Sequence, residues 1–255
     1  MKPSRLQVGM LIVANLLGLA AFAWPFVLPI GSDAVHAHDS TLILVALVAV
    51  LGVVLFLEMG RGGMGPKAVA LIGVLGAAMV ALRLPGYVLG FSAMFIVVLL
   101  GGNAFGPGFG FTLGAVGMFA SGLFVGGIGP WLPFQMVAVG WVGLGAGLMP
   151  RGRWPVRLTS LAVYGFVVGY AFGAIMNLWS WPFIAGESSV ISWAPGAGFA
   201  ANLHHYAGYY LATSFVWDTY RSVGDVILVL VLGRPLLGTL DRAARRMNLQ
   251  LSPAA

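Results

Sequence analysis

Residues 158–179 read LTSLAVYGFVVGYAFGAIMNLW, a run without a single charged side chain and as long as the roughly 20 apolar residues that a helix needs to cross a bilayer. Arg151, Arg153 and Arg157 stand just before it, as basic residues do on the cytoplasmic flank of a span. The rest of the chain has the same character. Of its 255 residues 60% are hydrophobic and 8% charged, and the mean hydropathy is +0.96. A soluble domain carries about a quarter charged residues, so that class is excluded. Most of the length is taken up by membrane segments, and no room is left for a soluble catalytic domain of ordinary size.

Other apolar runs broken by Gly, Pro or charge are Leu6 to Pro29, Thr41 to Glu58, Ala68 to Leu82, Gly86 to Gly101 and Phe109 to Gly127. Leu132 to Met149 and roughly Thr213 to Gly233 follow, so with the run quoted above about eight spans are expected. Ser180 to Ala212 reads as a long, aromatic connection. With the N-terminus inside, all of the 13 Lys and Arg except Arg83 and Arg221 fall on the cytoplasmic side, and Asp33, Asp39 and Glu187 fall outside. The pI near 10 therefore reflects topology and anionic lipid, not nucleic acid. Both termini are expected in the cytoplasm. The first apolar run is too long for a signal peptide and reads as a retained helix. The absence of cysteine removes disulfides, thiolate metal sites and Cys nucleophiles.

Composition divides the chain into an N-terminal transmembrane hairpin (1–63), a Gly-, Pro- and Trp-rich six-helix core (64–240) and a basic cytoplasmic tail (241–255). The expected fold is an all-α polytopic membrane bundle. Several stretches then narrow the chemistry. Residues 126–136, GGIGPWLPFQM, form a Gly/Pro turn leading into a span, with Trp131 and Gln135 one helical turn apart on a shared face. Residues 101–110, GGNAFGPGFG, form a glycine turn feeding a span with Gly114, Gly117, Gly122 and Gly126, a pattern suited to close helix packing. Gly73, Ala77 and Ala81 put small side chains on one helical face. Residues 60–67, GRGGMGPK, are not a phosphate loop, because Pro66 interrupts the motif and Ala68 stands where a hydroxyl is required.

In the last span Asp218, Arg221 and Asp225 share a face, with one cation between two carboxylates, and such groups must face the bundle interior or a wet cavity. Arg83 lies at the outer end of the third span. With Trp131, Gln135, Trp179, Trp181, Asn202, Trp217, Asp218 and Arg221 it is expected to line a pocket for a polar, aromatic solute. His36, His38 and Asp39, and separately His204 and His205, carry metal-ligating groups, but their arrangement favours solvated loops and no metal site is expected. Nor is there a hydrolase or metalloprotease motif.

From about Lys67 to Leu237 the chain resembles the substrate-specific subunits (S components) of energy-coupling factor transporters. The likeness rests on AxxxA at 77–81 with Arg83-Leu84, FGPGFGF at 105–111, GPWLPFQM at 129–136 and GLGAGL at 143–148. It continues with TSFVWD at 213–218, Arg221 and GRPLL at 233–237. The resemblance implies a six-helix bundle that captures a vitamin or related micronutrient outside, then docks on a membrane coupling subunit driven by two cytoplasmic ATPases. It implies Ala77 and Ala81 as the docking face and a ligand near Arg83, Trp131 and the segment before Thr213. Cobalamin is the first candidate solute, from the form of the GPWLPFQM stretch. The N-terminal hairpin departs from the family pattern. No cofactor and no catalysis by this chain are expected. Alternatives are a self-sufficient ion-coupled transporter using Asp218, Arg221 and Asp225 as a relay, and a membrane enzyme, for which nucleophile and metal set are both missing.

Overall fold

In a computed structural model, the described residues are 65–86, 92–129, 131–184 and 190–246, together with helical residues 9, 12, 13, 15, 16, 18–20, 22, 23 and 26. All regular structure among them is helical. The helices are α1 (Pro66–Arg83), α2 (Met94–Phe105), α3 (Pro107–Ser121), α4 (Leu132–Leu148), α5 (Trp154–Ile184), α6 (Phe199–Thr213) and α7 (Phe215–Arg246), with a π-helical turn, Gly122–Gly126, extending α3. Four helical stretches are long and apolar enough to cross a membrane: Pro66–Arg83, Pro107–Gly126, Trp154–Pro182 and Phe215–Arg246. Helices α2 and α4 are apolar but shorter. The expected second span, Thr41 to Glu58, lies outside the described residues, as do His36, His38 and Asp39.

Helix α2 is the axis of the bundle. Every residue from Met94 to Phe105 except Val97 is buried, so its 12 residues meet protein and not lipid and need not match the bilayer thickness. It packs on α1, α3, α4 and α7. The turn expected from the glycine stretch at 101–110 forms at a single residue: Gly106 has φ 104°, a left-handed conformation that a Cβ would strain, and Pro107 opens α3 at once. Close packing follows from the glycines on either side. A Cβ on Gly143 of α4 would stand 2.5 Å from the carbonyl carbon of Gly110, and one on Gly110 would stand 2.8 Å from Gly102 Cα, so three backbones meet where side chains ordinarily intervene.

Two elements differ from the sequence expectation. The aromatic connection Ser180 to Ala212 is in good part helical, because α5 runs on to Ile184 and α6 starts at Phe199. The last span runs past Gly233 as one helix, through Pro235, to Arg246, so the first residues of the expected tail belong to α7. Asp241 explains the continuation, since it pairs with the buried Arg157 of α5. The N-terminal helical residues are joined to the core. Gly18 and Phe22 lie against α4, where the Phe22 ring meets Phe134 at 5.2 Å and Trp141 at 5.8 Å. Phe26 meets Trp181 of α5 and Phe199 of α6 at 5.9 and 5.5 Å.

The bundle has a basic end and an aromatic end. At the basic end Asn103 of α2, fully buried, donates to the carbonyls of Ala146 and Met149 and accepts from Arg157 Nε at 2.6 Å. Arg157 and Arg234 both lie over the Trp154 ring, at 5.5 and 6.0 Å. Burial, then the neighbouring Arg157, push the Arg151 guanidinium below its ordinary value, with Asp241 opposing.

Candidate functional site

Helix α7 begins at the aromatic end, and its first three turns carry Asp218, Arg221, Ser222 and Asp225 toward α5. The sequence of α5 is cut to receive them. Gly165, Gly169 and Gly173 recur at a spacing of four and line one face. A Cβ on Gly173 would overlap the Asp218 carboxylate. One on Gly169 would stand 2.8 Å from Ser222 Cα, and one on Gly165 would stand 3.4 Å from Asp225 Cβ. The two antiparallel helices thus mesh a glycine groove with a polar ridge.

Arg221 organises the ridge. It pairs with Asp218, donates to the carbonyl of Gly169 at 3.1 Å, and lies over the rings of Phe172 and Phe95 at 5.0 and 5.7 Å. Carboxylate, backbone dipole and two ring faces all stabilise a guanidinium withdrawn from water. The Tyr210 hydroxyl of α6 lies beside Asp218; burial first, then that carboxylate, push it above its ordinary range. Asp218, Ser222 and Asp225 are all buried; Asp218 Oδ2, the Tyr210 hydroxyl, Ser222 Oγ and both oxygens of Asp225 have no hydrogen-bond partner. Arg221 keeps about a fifth of its side chain exposed, which gives the ridge a contact with the surface.

The other expected site residues separate into three groups around the aromatic end. Trp131, at the N-cap of α4, meets Trp179 of α5 edge-on at 6.2 Å, and Phe134 meets the same ring at 6.0 Å. Gln135 is half-buried one turn along α4. Trp181 is completely buried; its indole N–H donates to the Ile191 carbonyl at 2.7 Å and its ring packs on Tyr206 at 5.1 Å. Asn202 is spent on the same substructure, accepting from the Ala194 N–H at 3.0 Å and donating to the Ala194 carbonyl at 2.9 Å. The two residues thus tie α5 and α6 to the segment around Ile191 and Ala194. Arg83 donates to Ser121 Oγ at 3.0 Å and to Met118 Sδ at 3.2 Å, with Gly126 against its guanidinium. The π-helical turn widens the end of α3 to admit it.

Trp217 does not join the group. It is 54% exposed, beside the exposed Val216 and Tyr220, while Asp218 one position on is buried. One residue along a helix turns the side chain through 100°, which separates neighbours that the sequence listed together. His204 and His205 have ring centroids 6.5 Å apart, and His205 Nδ1 lies 2.8 Å from the Ser192 carbonyl oxygen. No group of three metal-ligating side chains occurs among the described residues. The glycine series of α5 and Ser222 were missed in the sequence, although spacing-of-four glycines at 165, 169 and 173 were a readable signal of close helix approach.

On α1 the expected docking residues share a face. Gly73, Ala77 and Ala81 are all exposed, with Val74 beside them at 65%, while Ala68, Ile72, Gly76 and Met79 on the opposite side are buried against the bundle. The chain matches no family model, no curated protein and no solved structure.

Proposed function

We propose that this chain is the substrate-binding membrane subunit of an energy-coupling factor importer, resident in the cell membrane as a multi-pass protein with both termini in the cytoplasm. It captures a vitamin or related micronutrient at the aromatic end and delivers it inward after docking on a membrane coupling subunit powered by two cytoplasmic ATPases. Cobalamin is the first candidate solute. The observation that carries this reading is the exposed small-residue face of α1. A Cβ built on Gly73 would meet nothing within 4 Å, and Ala77 and Ala81 are exposed, so nothing among the described residues covers the stripe. Gly73, Ala77 and Ala81 let another helix come within backbone distance, and in lipid such approach is what drives helix association.

The aromatic end supports the other half of the reading. The Trp131 and Trp179 rings, the half-buried Gln135 and the α6 helix that covers α5 combine apolar faces with a few polar groups, as small-molecule sites do. The motifs for nucleotide hydrolysis are missing from the sequence, so the work of transport falls to partners.

The test is co-purification. The full chain carrying Ala77→Trp and Ala81→Trp is expected to fold, to keep its solute and to lose the coupling subunit. A complex that survives both substitutions would remove α1 as the docking face.

A further inference from the structure

Asp225 lies in the third turn of α7 with no exposure, and neither of its carboxyl oxygens has a hydrogen-bond partner. Ser222, three residues earlier on the same face, is equally buried and its hydroxyl is equally unpartnered. Native proteins rarely leave such groups bare, because desolvation is costly unless something replaces water. An orphaned carboxyl beside an orphaned hydroxyl marks a place where a small species is bound.

The surroundings narrow what that species is. On α7 itself the charged neighbours are Arg221 and Asp218, and Arg221 is already engaged with Asp218 and the Gly169 carbonyl. From α5 the titratable groups are Tyr164, which donates to α4 carbonyls, and Tyr170, which shares a hydrogen bond with Thr219; no charged residue follows Arg157 in that helix. Helix α2 carries no titratable side chain, and presents Leu99 and Phe95. Helix α6 brings Tyr206, Tyr209, Tyr210, His204 and His205, of which Tyr210 lies beside Asp218. The Asp218 and Arg221 charges cancel, so an ionised Asp225 would be a net negative charge in a dry, apolar interface. Hard cations need several oxygen ligands, and one hydroxyl with one carboxyl offers too few. A proton neutralises the carboxyl without further ligands, and Ser222 is the polar side chain one turn away on the same face.

We infer that Asp225 and Ser222 form a proton-binding site buried between α5 and α7, whose bound proton keeps the two helices meshed. On release the proton passes to water reaching the partly exposed Arg221, and leaves a carboxylate facing Gly165. That carboxylate must then be hydrated or compensated, which favours separating α7 from the glycine groove. The stability of the α5–α7 seam therefore depends on pH. The inference does not depend on the transporter family proposed above.

Infrared spectroscopy of the purified full chain in phosphatidylcholine nanodiscs tests it. At neutral pH a carboxylic acid C=O band is expected that shifts in heavy water, disappears in Asp225→Asn and survives in Asp218→Asn. Asp225→Glu, which keeps an acid, should retain a band at altered frequency, and Ser222→Ala should move the band by removing the polar group beside it. Hydrogen exchange of α5 amides around Gly165 to Gly173 should accelerate on raising the pH by several-fold more in the parent chain than in Asp225→Asn. A band lost in Asp218→Asn but kept in Asp225→Asn, a band abolished by sodium at constant pH, or equal exchange acceleration in the two chains would each overturn the proposal.

Discussion

Arg157 and Asp241 are 84 residues apart in the chain and form a bidentate ion pair, Nη1 donating to Oδ2 at 2.7 Å and Nη2 to Oδ1 at 3.0 Å. With Asn103 accepting from Arg157 Nε, the guanidinium ties α2, α5 and α7 together at the basic end. Removing one member leaves the other buried and uncompensated. Asp241→Asn is therefore expected to cost about 3 kcal/mol, read as a lowered thermal midpoint in detergent. Arg157→Met combined with Asp241→Leu should cost less than Asp241→Asn alone, because no lone charge remains. A parent-like midpoint for Asp241→Asn would show that the pair adds nothing.

The glycine contact of α3 with α4 is backbone against backbone, so it has no flexible atom to yield. Gly143→Ala should destabilise by about 1 to 3 kcal/mol, as overpacking does. Gly152→Ala, where nothing stands within 4 Å of the new methyl, should be close to neutral. Unfolding of the two variants side by side separates the packing effect from the general effect of replacing glycine.

Asn202 closes a two-bond clamp on the backbone of Ala194. Asn202→Ala removes both bonds and leaves a part-buried N–H and C=O, at a cost of about 1 kcal/mol. The effect should be local, visible as faster amide exchange between residues 190 and 198. Uniformly faster exchange throughout the bundle would give Asn202 a wider role than the clamp.

At the aromatic end Trp131→Ala is expected to weaken solute binding by about 1 to 3 kcal/mol, the range for a desolvated aromatic contact. Trp217→Ala should leave binding unchanged, since that ring points away from the buried ridge. Equilibrium titration with cobalamin and then other vitamins, on both variants, provides the measurement. Equal affinity in the two would return Trp131 to a packing role.

Alone in sealed liposomes, without the proposed coupling subunit and ATPases, the chain is expected to show no gradient-driven accumulation. Sustained uptake driven by a proton or sodium gradient alone would make it an ion-coupled carrier.

Most of the helices were legible because hydrocarbon tolerates little else: long uncharged runs become helices whatever surrounds them. Gly106-Pro107 marked its own turn for the same local reason. The site was legible only in part. Asp218 and Arg221 sit on one face at a spacing any helix imposes, and they do pair. Trp181 and Asn202 were read as ligand contacts because Trp and Asn suit that role, but their partners, Ile191 and Ala194, lie in an irregular segment with no periodicity to betray them. Trp217 stands on the exposed face of α7 because neighbours in sequence point to different sides of a helix.

Hydropathy and charge spacing along the chain were enough to establish a helical, membrane-like protein and where most of its helices run. They could not establish which glycine of α5 faces which residue of α7, whether Arg157 would meet Asp241, or that Asp225 would be left without a partner. Those depend on the rotation and register of one packed helix against another. Register is set jointly by all the side chains in the interface, and no single segment contains it.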